Sequence, residues 1–173
     1  MSQTDYYKRK SFRHTDGTFV FENETDRERK DETARIIESK WGPHLQIKCY
    51  GQLNEIDYYA TKHGRLALYI EIKCRNHKSD TYDTVYLNLR KWLALTVAGL
   101  CTGKPSIFVV RFLDKILWIP LVEVDATQVS IAGTNRIVKS KTDIEPIIEI
   151  PIKSMRQISS SKLQNEQKQF AEK

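Results

Sequence analysis

Leu66-Ala67-Leu68-Tyr69-Ile70-Glu71-Ile72-Lys73 decides the reading of this chain, because an apolar run of strand-forming residues closes on an acid and a base two positions apart. A buried strand stays apolar, so charges at this point need a reason. Side chains alternate along a strand, and Glu71 and Lys73 therefore project from one face. Upstream, Asn54-Glu55-Ile56-Asp57-Tyr58-Tyr59-Ala60 reads as a second strand, joined to the first through the turn-like Lys62-His63-Gly64-Arg65. The pair is expected to form a hairpin. A tight turn at His63-Gly64 sets Asp57 opposite residue 70 or 71, depending on whether the loop is even or carries a bulged residue. Asp57 and Glu71 are then neighbours.

Two carboxylates about 5 Å apart repel by roughly 3 kcal/mol at an effective dielectric near 20, and like charges opposed on a sheet are destabilising. A bound divalent cation converts that repulsion into attraction. Oxygen-rich pairs of this kind suit Mg²⁺, with Mn²⁺ as its substitute, since the ion keeps several waters and also takes phosphate oxygens. Lys73 beside the pair is placed to hold a phosphate or a nucleophilic water. For any one of these residues an exposed hairpin end is the simpler explanation; the three together argue for a site.

The rest of the chain bounds what such a site can belong to. Its 173 residues, 40% hydrophobic, are enough for one domain with a full core. The net charge of +6 and pI near 9.2 tilt it toward polyanionic partners. Cys49, Cys74 and Cys101 form no CxxC pair and have no histidine at zinc-finger spacing, so they read as reduced thiols of a cytoplasmic protein. The N-terminus lacks the apolar core of a signal peptide, and the longest apolar stretch, around Trp92 to Cys101, is too short to span a bilayer; no membrane association is expected.

Residues 1–22, with Lys8, Arg9, Lys10 and Arg13, read as a basic arm, residues 23–158 as a single domain, and residues 159–173 as a polar tail. Thr25-Asp26-Arg27-Glu28 fits a capping box that starts a helix running to Trp41, with Ala34, Ile37 and Trp41 as its apolar seam and Ile36 on the flank. Leu45 to Tyr50 makes the first strand and the hairpin the next two. A polar loop, Asn76 to Thr84, leads to a second helix from about Tyr86 to Leu100, with Leu89, Leu93, Val97 and Leu100 at helical spacing. Ser106 to Phe112 and Ile116 to Val124 are strands, followed by shorter β segments of which Pro146 to Ile152 is the clearest. The expected order is α-β-β-β-α-β-β with extra C-terminal β pieces.

Asp57, then Glu71-Ile72-Lys73 fourteen residues on, set on a hairpin between two helices, resembles the PD-(D/E)xK nuclease superfamily, in its restriction-endonuclease-like or Holliday-junction-resolvase-like branch. The resemblance covers roughly Thr25 to Val124. It implies an α/β, restriction-endonuclease-like core: a central mixed β-sheet flanked by helices. It also implies a Mg²⁺-dependent DNA nuclease that hydrolyses phosphodiester bonds, as an endonuclease or structure-specific enzyme. A DNA exonuclease of the same superfamily and a non-catalytic DNA-binding protein on the nuclease fold are the alternatives. Carried over, Asp57 and Glu71 become metal ligands and Lys73 the lysine that orients or activates water.

Many members add a glutamate from the first helix. Glu32, ten residues before Gly42, is the choice for it, with Glu28 and Asp31 as its competitors. The chain departs from the motif at Ile56, which stands where the superfamily name has proline. Arg75, Lys78, Arg90 and Lys91 are the candidates for gripping DNA, duplex or branched, near the scissile bond, with His77, Asn88, Tyr82 and Tyr86 beside them. A homodimer is left open.

Overall fold

The computed structural model describes residues 24–50, 54–133 and 144–158; the basic arm and the polar tail lie outside these. In chain order the elements are α1 (Glu24–Trp41), β1 (Leu45–Cys49), β2 (Tyr58–Lys62), β3 (Arg65–Cys74), β4 (Thr84–Asn88), α2 (Leu89–Thr102), β5 (Ser106–Arg111), β6 (Ile116–Pro120), β7 (Val129–Gly133), β8 (Ile144–Pro151) and β9 (Arg156–Ile158). Six strands form a mixed sheet in the order β1-β2-β3-β5-β6-β9, with β3 and β5 parallel and every other neighbour antiparallel. This is the restriction-endonuclease-like α/β core that the resemblance implies. β4, β8 and β7 make a second, three-stranded antiparallel sheet.

The two-fold alternation of β3 distributes its side chains between two apolar layers. Ile70 and Ile72 join Ala34 and Ile37 of α1, with Ile107 and Val109 from β5. Tyr69 lies on the other face with Leu95 of α2, Phe108 and Val110, and with Val85, Leu87, Ile148 and Ile150 of the small sheet. Glu71 and Lys73 belong by alternation to this second face, against α2. The β3–β5 pairing fixes their depth, since Glu71 stands beside Phe108 and Lys73 beside Val110.

The hairpin turn has left-handed backbone at both central residues, His63 (φ 52°) and Gly64 (φ 75°), the twist a two-residue hairpin loop favours. From Lys62↔Arg65 and Thr61↔Leu66 the register steps to Ala60↔Leu68, so Ala67 is an extra residue on β3. That bulge decides the site. Tyr58 pairs with Ile70, which puts Asp57 in line with Glu71 on the α2 face; an even register would have aimed it at Ile70 and the α1 layer.

Five expectations need correction. The strand expected from Asn54 starts only at Tyr58, and the one expected to run from Ile116 to Val124 ends at Pro120, where a 3-10 turn, Leu121–Glu123, takes over. α1 already includes Glu24, so Thr25 lies inside the helix and is not its cap. Residues 84–88, expected as loop end and helix start, form β4, because Val85 and Leu87 alternate into the core and pair with Ile150 and Ile148. On α2 the buried face is Leu95 with Leu89, Trp92 and Ala98, whereas Leu93, Val97 and Leu100 are exposed. Gly99 allows this face its close approach: a Cβ there would stand 3.0 Å from the Lys104 carbonyl and 3.3 Å from Ser106 Oγ.

Candidate active site

A cleft of about 280 Å³ opens where β3 passes between the two helices, lined by Asp26, Lys30, Glu71, Ile72, Lys73, Cys74, Leu87, Asn88 and Lys91. Asp57 is not itself a lining residue but is held by two that are, Lys30 and Lys91, and its carbonyl accepts the Tyr50 N–H at 3.0 Å. Two lysines grip its carboxylate, one from each helix: Lys30 Nζ lies 2.6 Å from Oδ2 and Lys91 Nζ 2.5 Å from Oδ1. Lys91 also reaches Glu71, 3.4 Å from Oε2. A single ammonium thus bridges the two facing carboxylates.

The pair shares this cation unequally. Burial alone would raise the Asp57 pKa, but the charges and hydrogen bonds of Lys30 and Lys91 outweigh it and hold the carboxyl below its ordinary range. Glu71 is more deeply buried, and its Oε2 accepts no hydrogen bond among the described residues. Burial first, and the Asp57 charge second, push it up to about 7 in spite of Lys91, Lys30 and Lys73. Lys91 itself is disfavoured by burial, yet Glu71 and Asp57 overcome that and raise its pKa.

Lys73 projects from the same face as Glu71 and donates to the Tyr86 carbonyl at 3.1 Å, its ammonium 5.3 Å from the Tyr86 ring centre. Burial, then the Arg75 charge, lower its pKa to about 8, with Glu71 and Glu145 opposing. Arg75 lies over the same ring, 5.0 Å from its centre. At the start of α2, Asn88 donates to Glu145. The first turn of α2 holds no acid, so its dipole leaves positive potential at the cleft. Of the remaining cations, Arg90 pairs with Glu55 at 3.2 Å on the exposed rim, and Lys78 is exposed on the loop after β3. That loop is fastened at Ser79, which donates through N and Oγ to Asp114 at 2.8 and 2.7 Å.

The structure therefore brings Asp57, Glu71, Lys73 and Lys91 together and keeps Glu32 apart. Glu32 is bound by Arg111 Nη1 at 2.6 Å and is not among the residues lining the cleft. Asp31 accepts from the Tyr58 hydroxyl at 2.6 Å, and Glu28 is exposed. What α1 offers the cleft instead is Asp26 and Lys30, which the motif did not single out. A signal existed: four residues before Ala34 on the apolar seam comes Lys30, and four before that comes Asp26.

The donor chemistry fits a hard divalent cation. Asp57 and Glu71 supply only oxygen, they converge on a positive charge, and one buried oxygen lacks a hydrogen bond among the described residues. Among the described residues no cluster of three or more histidine, cysteine or acidic side chains that could hold a metal ion forms.

A mixed sheet between two helices, with an acid pair and a lysine at the end of one hairpin, defines the PD-(D/E)xK nuclease class. The chain belongs to the family described as "Phage putative PDDEXK endonuclease", whose model matches residues 18–158. Among solved structures it is similar to Hjc, a Holliday junction resolvase from the archaeal hyperthermophile Archaeoglobus fulgidus. The two are 12% identical with a TM-score of 0.46, over 72% of this chain and 87% of that one. No curated protein matches. Among the described residues no helix is long and apolar enough to cross a membrane.

Proposed function

We propose that this chain is a Mg²⁺-dependent DNA endonuclease that hydrolyses phosphodiester bonds, with Asp57 and Glu71 as the metal ligands and Lys73 as the lysine acting on the attacking water. The observation that carries the reading is the buried Glu71 carboxylate beside Asp57, whose Oε2 accepts no hydrogen bond among the described residues and meets only a long ion pair to Lys91, at 3.4 Å. Such an arrangement is costly in a structural role, because burying an acid beside another acid destabilises the charged form. When bound, the ion would stabilise charge at phosphorus and acidify a water. Asp57 and Glu71 would hold it at the end of the hairpin. Lys73, kept near the Tyr86 carbonyl and with its pKa near 8, can exchange a proton close to neutral pH and orient the nucleophile. Lys91, Arg75 and the start of α2 supply positive potential for the phosphates on either side.

Covalently closed plasmid DNA tests the proposal, because a circle has no ends and only an endonuclease can nick it. Nicking or linearisation with Mg²⁺ or Mn²⁺, abolished by EDTA, is the expected result. Linear duplex cut from its ends while the circle survives would make the enzyme an exonuclease. No cleavage of plasmid, linear, single-stranded or branched DNA, together with salt-dependent binding, would leave a DNA-binding protein. Binding itself should weaken as salt rises. Neutralising Arg75, Lys78 and Arg90 together should lower the slope of log affinity against log salt by roughly one for each phosphate that these cations neutralise.

A further inference from the structure

Lys91 does more in this geometry than a phosphate anchor needs to do. Its ammonium lies between Asp57 Oδ1 and Glu71 Oε2, at 2.5 and 3.4 Å, and so fills the space between the two oxygens that a shared divalent ion would use. An Mg²⁺ ion binds carboxylate oxygens at about 2.0–2.1 Å, which leaves no room for an ammonium at the same oxygens. Two cations so close also repel strongly in a partly buried cleft. Lys30 stands differently, because it holds the opposite oxygen of Asp57, Oδ2. Asp57 can therefore stay oriented through Lys30 while Lys91 leaves. Lys91 sits in the first turn of α2 on a flexible four-carbon stem, and it lines the cleft.

We propose that Lys91 is a built-in competitor for the divalent cation: it bridges Asp57 and Glu71 when no metal is bound, and metal entry displaces it into the cleft, where it becomes available to an anion. This rests on the nuclease reading above, since it concerns the same carboxylates. The device keeps two facing acids compatible with a folded, metal-free protein. It also couples the sites, because the cation that enters frees a positive charge for the phosphate, and linkage makes that coupling reciprocal.

Calorimetric titration with Mn²⁺ in the absence of DNA tests it on wild type, Lys91→Met, Lys30→Met and Asp57→Ala. Lys91→Met should bind Mn²⁺ about tenfold more tightly than wild type, since the competitor is gone. Lys30→Met should gain less, and Asp57→Ala should lose binding. A merely structural role for Lys91 would weaken the affinity or leave it unchanged, and a general charge effect would tighten Lys91→Met and Lys30→Met alike. A second measurement needs no substitution: amine-directed acylation of the wild-type protein, read by mass spectrometry, should label Lys91 several-fold faster with Mn²⁺ than with EDTA. Equal tightening by Lys30→Met would reduce the effect to net charge and overturn the bridge. Asp57-dependent Mn²⁺ binding that Lys91→Met does not tighten, with Lys91 labelling unchanged, would overturn this inference alone. No Mn²⁺ binding by any form, with unchanged labelling, would overturn it together with the metal-dependent reading of the site.

Discussion

Two acid–cation groupings hang on α1, and they differ in kind. On one flank Glu32 and Arg111 make a simple pair: one carboxylate, one guanidinium, the Glu32 side chain 45% exposed. Around Asp57, two carboxylates share Lys91 while Lys30 holds Asp57 alone, with Asp57 only 12% exposed and one Glu71 oxygen lacking a hydrogen bond among the described residues. The first grouping is complete as it stands, and water screens it. The second remains strained in its charges, with one acid held low by two lysines and the other pushed up by burial. An acid on the expected helix is therefore poor evidence of chemistry; an acid that the fold leaves incompletely satisfied is better evidence.

The sharpest way to break this contrast is to remove each group and measure DNA cleavage. Asp57→Ala, Glu71→Ala and Lys73→Ala should each lower the Mg²⁺-supported rate by about a hundredfold to ten-thousandfold, the range for removing a group that acts on the transition state. For Lys73→Ala, duplex affinity should stay within a few-fold of wild type. An equal loss of binding and cleavage would make Lys73 a phosphate anchor only, and full activity would remove it from the mechanism.

Stability in EDTA separates the two carboxylates from one another. Asp57→Ala leaves Lys30 and Lys91 with less compensation in a partly buried place, and should cost about 3 kcal/mol. Glu71 behaves in the opposite sense. Its folded pKa, about 7, lies above the ordinary 4.5, so the stability it contributes is fully present below pH 4.5 and is lost as pH rises through 7. Denaturant melts of Glu71→Gln should therefore approach wild type near pH 4.5 and show the variant more stable by pH 8, by a few kcal/mol at most. A variant that is less stable than wild type at pH 8 would mean that Lys91 satisfies Glu71 fully and that the acid carries no excess cost.

The parts of this arrangement that sequence could supply are those governed by two-residue alternation. Glu71 and Lys73 share a face because β3 is a strand, and the turn at His63-Gly64 fixes the hairpin. Sequence alone allows two registers for Asp57 and Glu71, because a bulge at Ala67 depends on packing over both faces of β3 and leaves no mark in composition. α2 misled for another reason: Leu93, Val97 and Leu100 form as regular an apolar stripe as Leu89, Trp92, Leu95 and Ala98, and periodicity cannot rank two stripes on one helix. β4 was hidden because its alternation, Val85 and Leu87, runs directly into Leu89 of the helix. Lys30 is hard to read from sequence, because a lysine on an apolar stripe looks like the end of the stripe until a carboxylate is known to wait for it.

The smallest expected effect is at Glu32, and it tests the comparison from its quiet side. Arg111 is largely buried and donates to Glu32, with the Arg29 carbonyl as a second, longer acceptor at 3.5 Å. Glu32→Gln keeps the shape and an acceptor oxygen for that guanidinium while removing the charge. Because Glu32 is nearly half exposed, the charge should be worth no more than about 1 kcal/mol, and the melting midpoint should move little. Cleavage should remain within a few-fold of wild type, and calorimetric Mn²⁺ affinity should not change, since Glu32 is paired with Arg111 and not with the lysines that hold Asp57 and Glu71. A loss of Mn²⁺ affinity in Glu32→Gln with its stability preserved would show that the Arg111 pair opens when metal binds, and would make Glu32 a third ligand of the same ion.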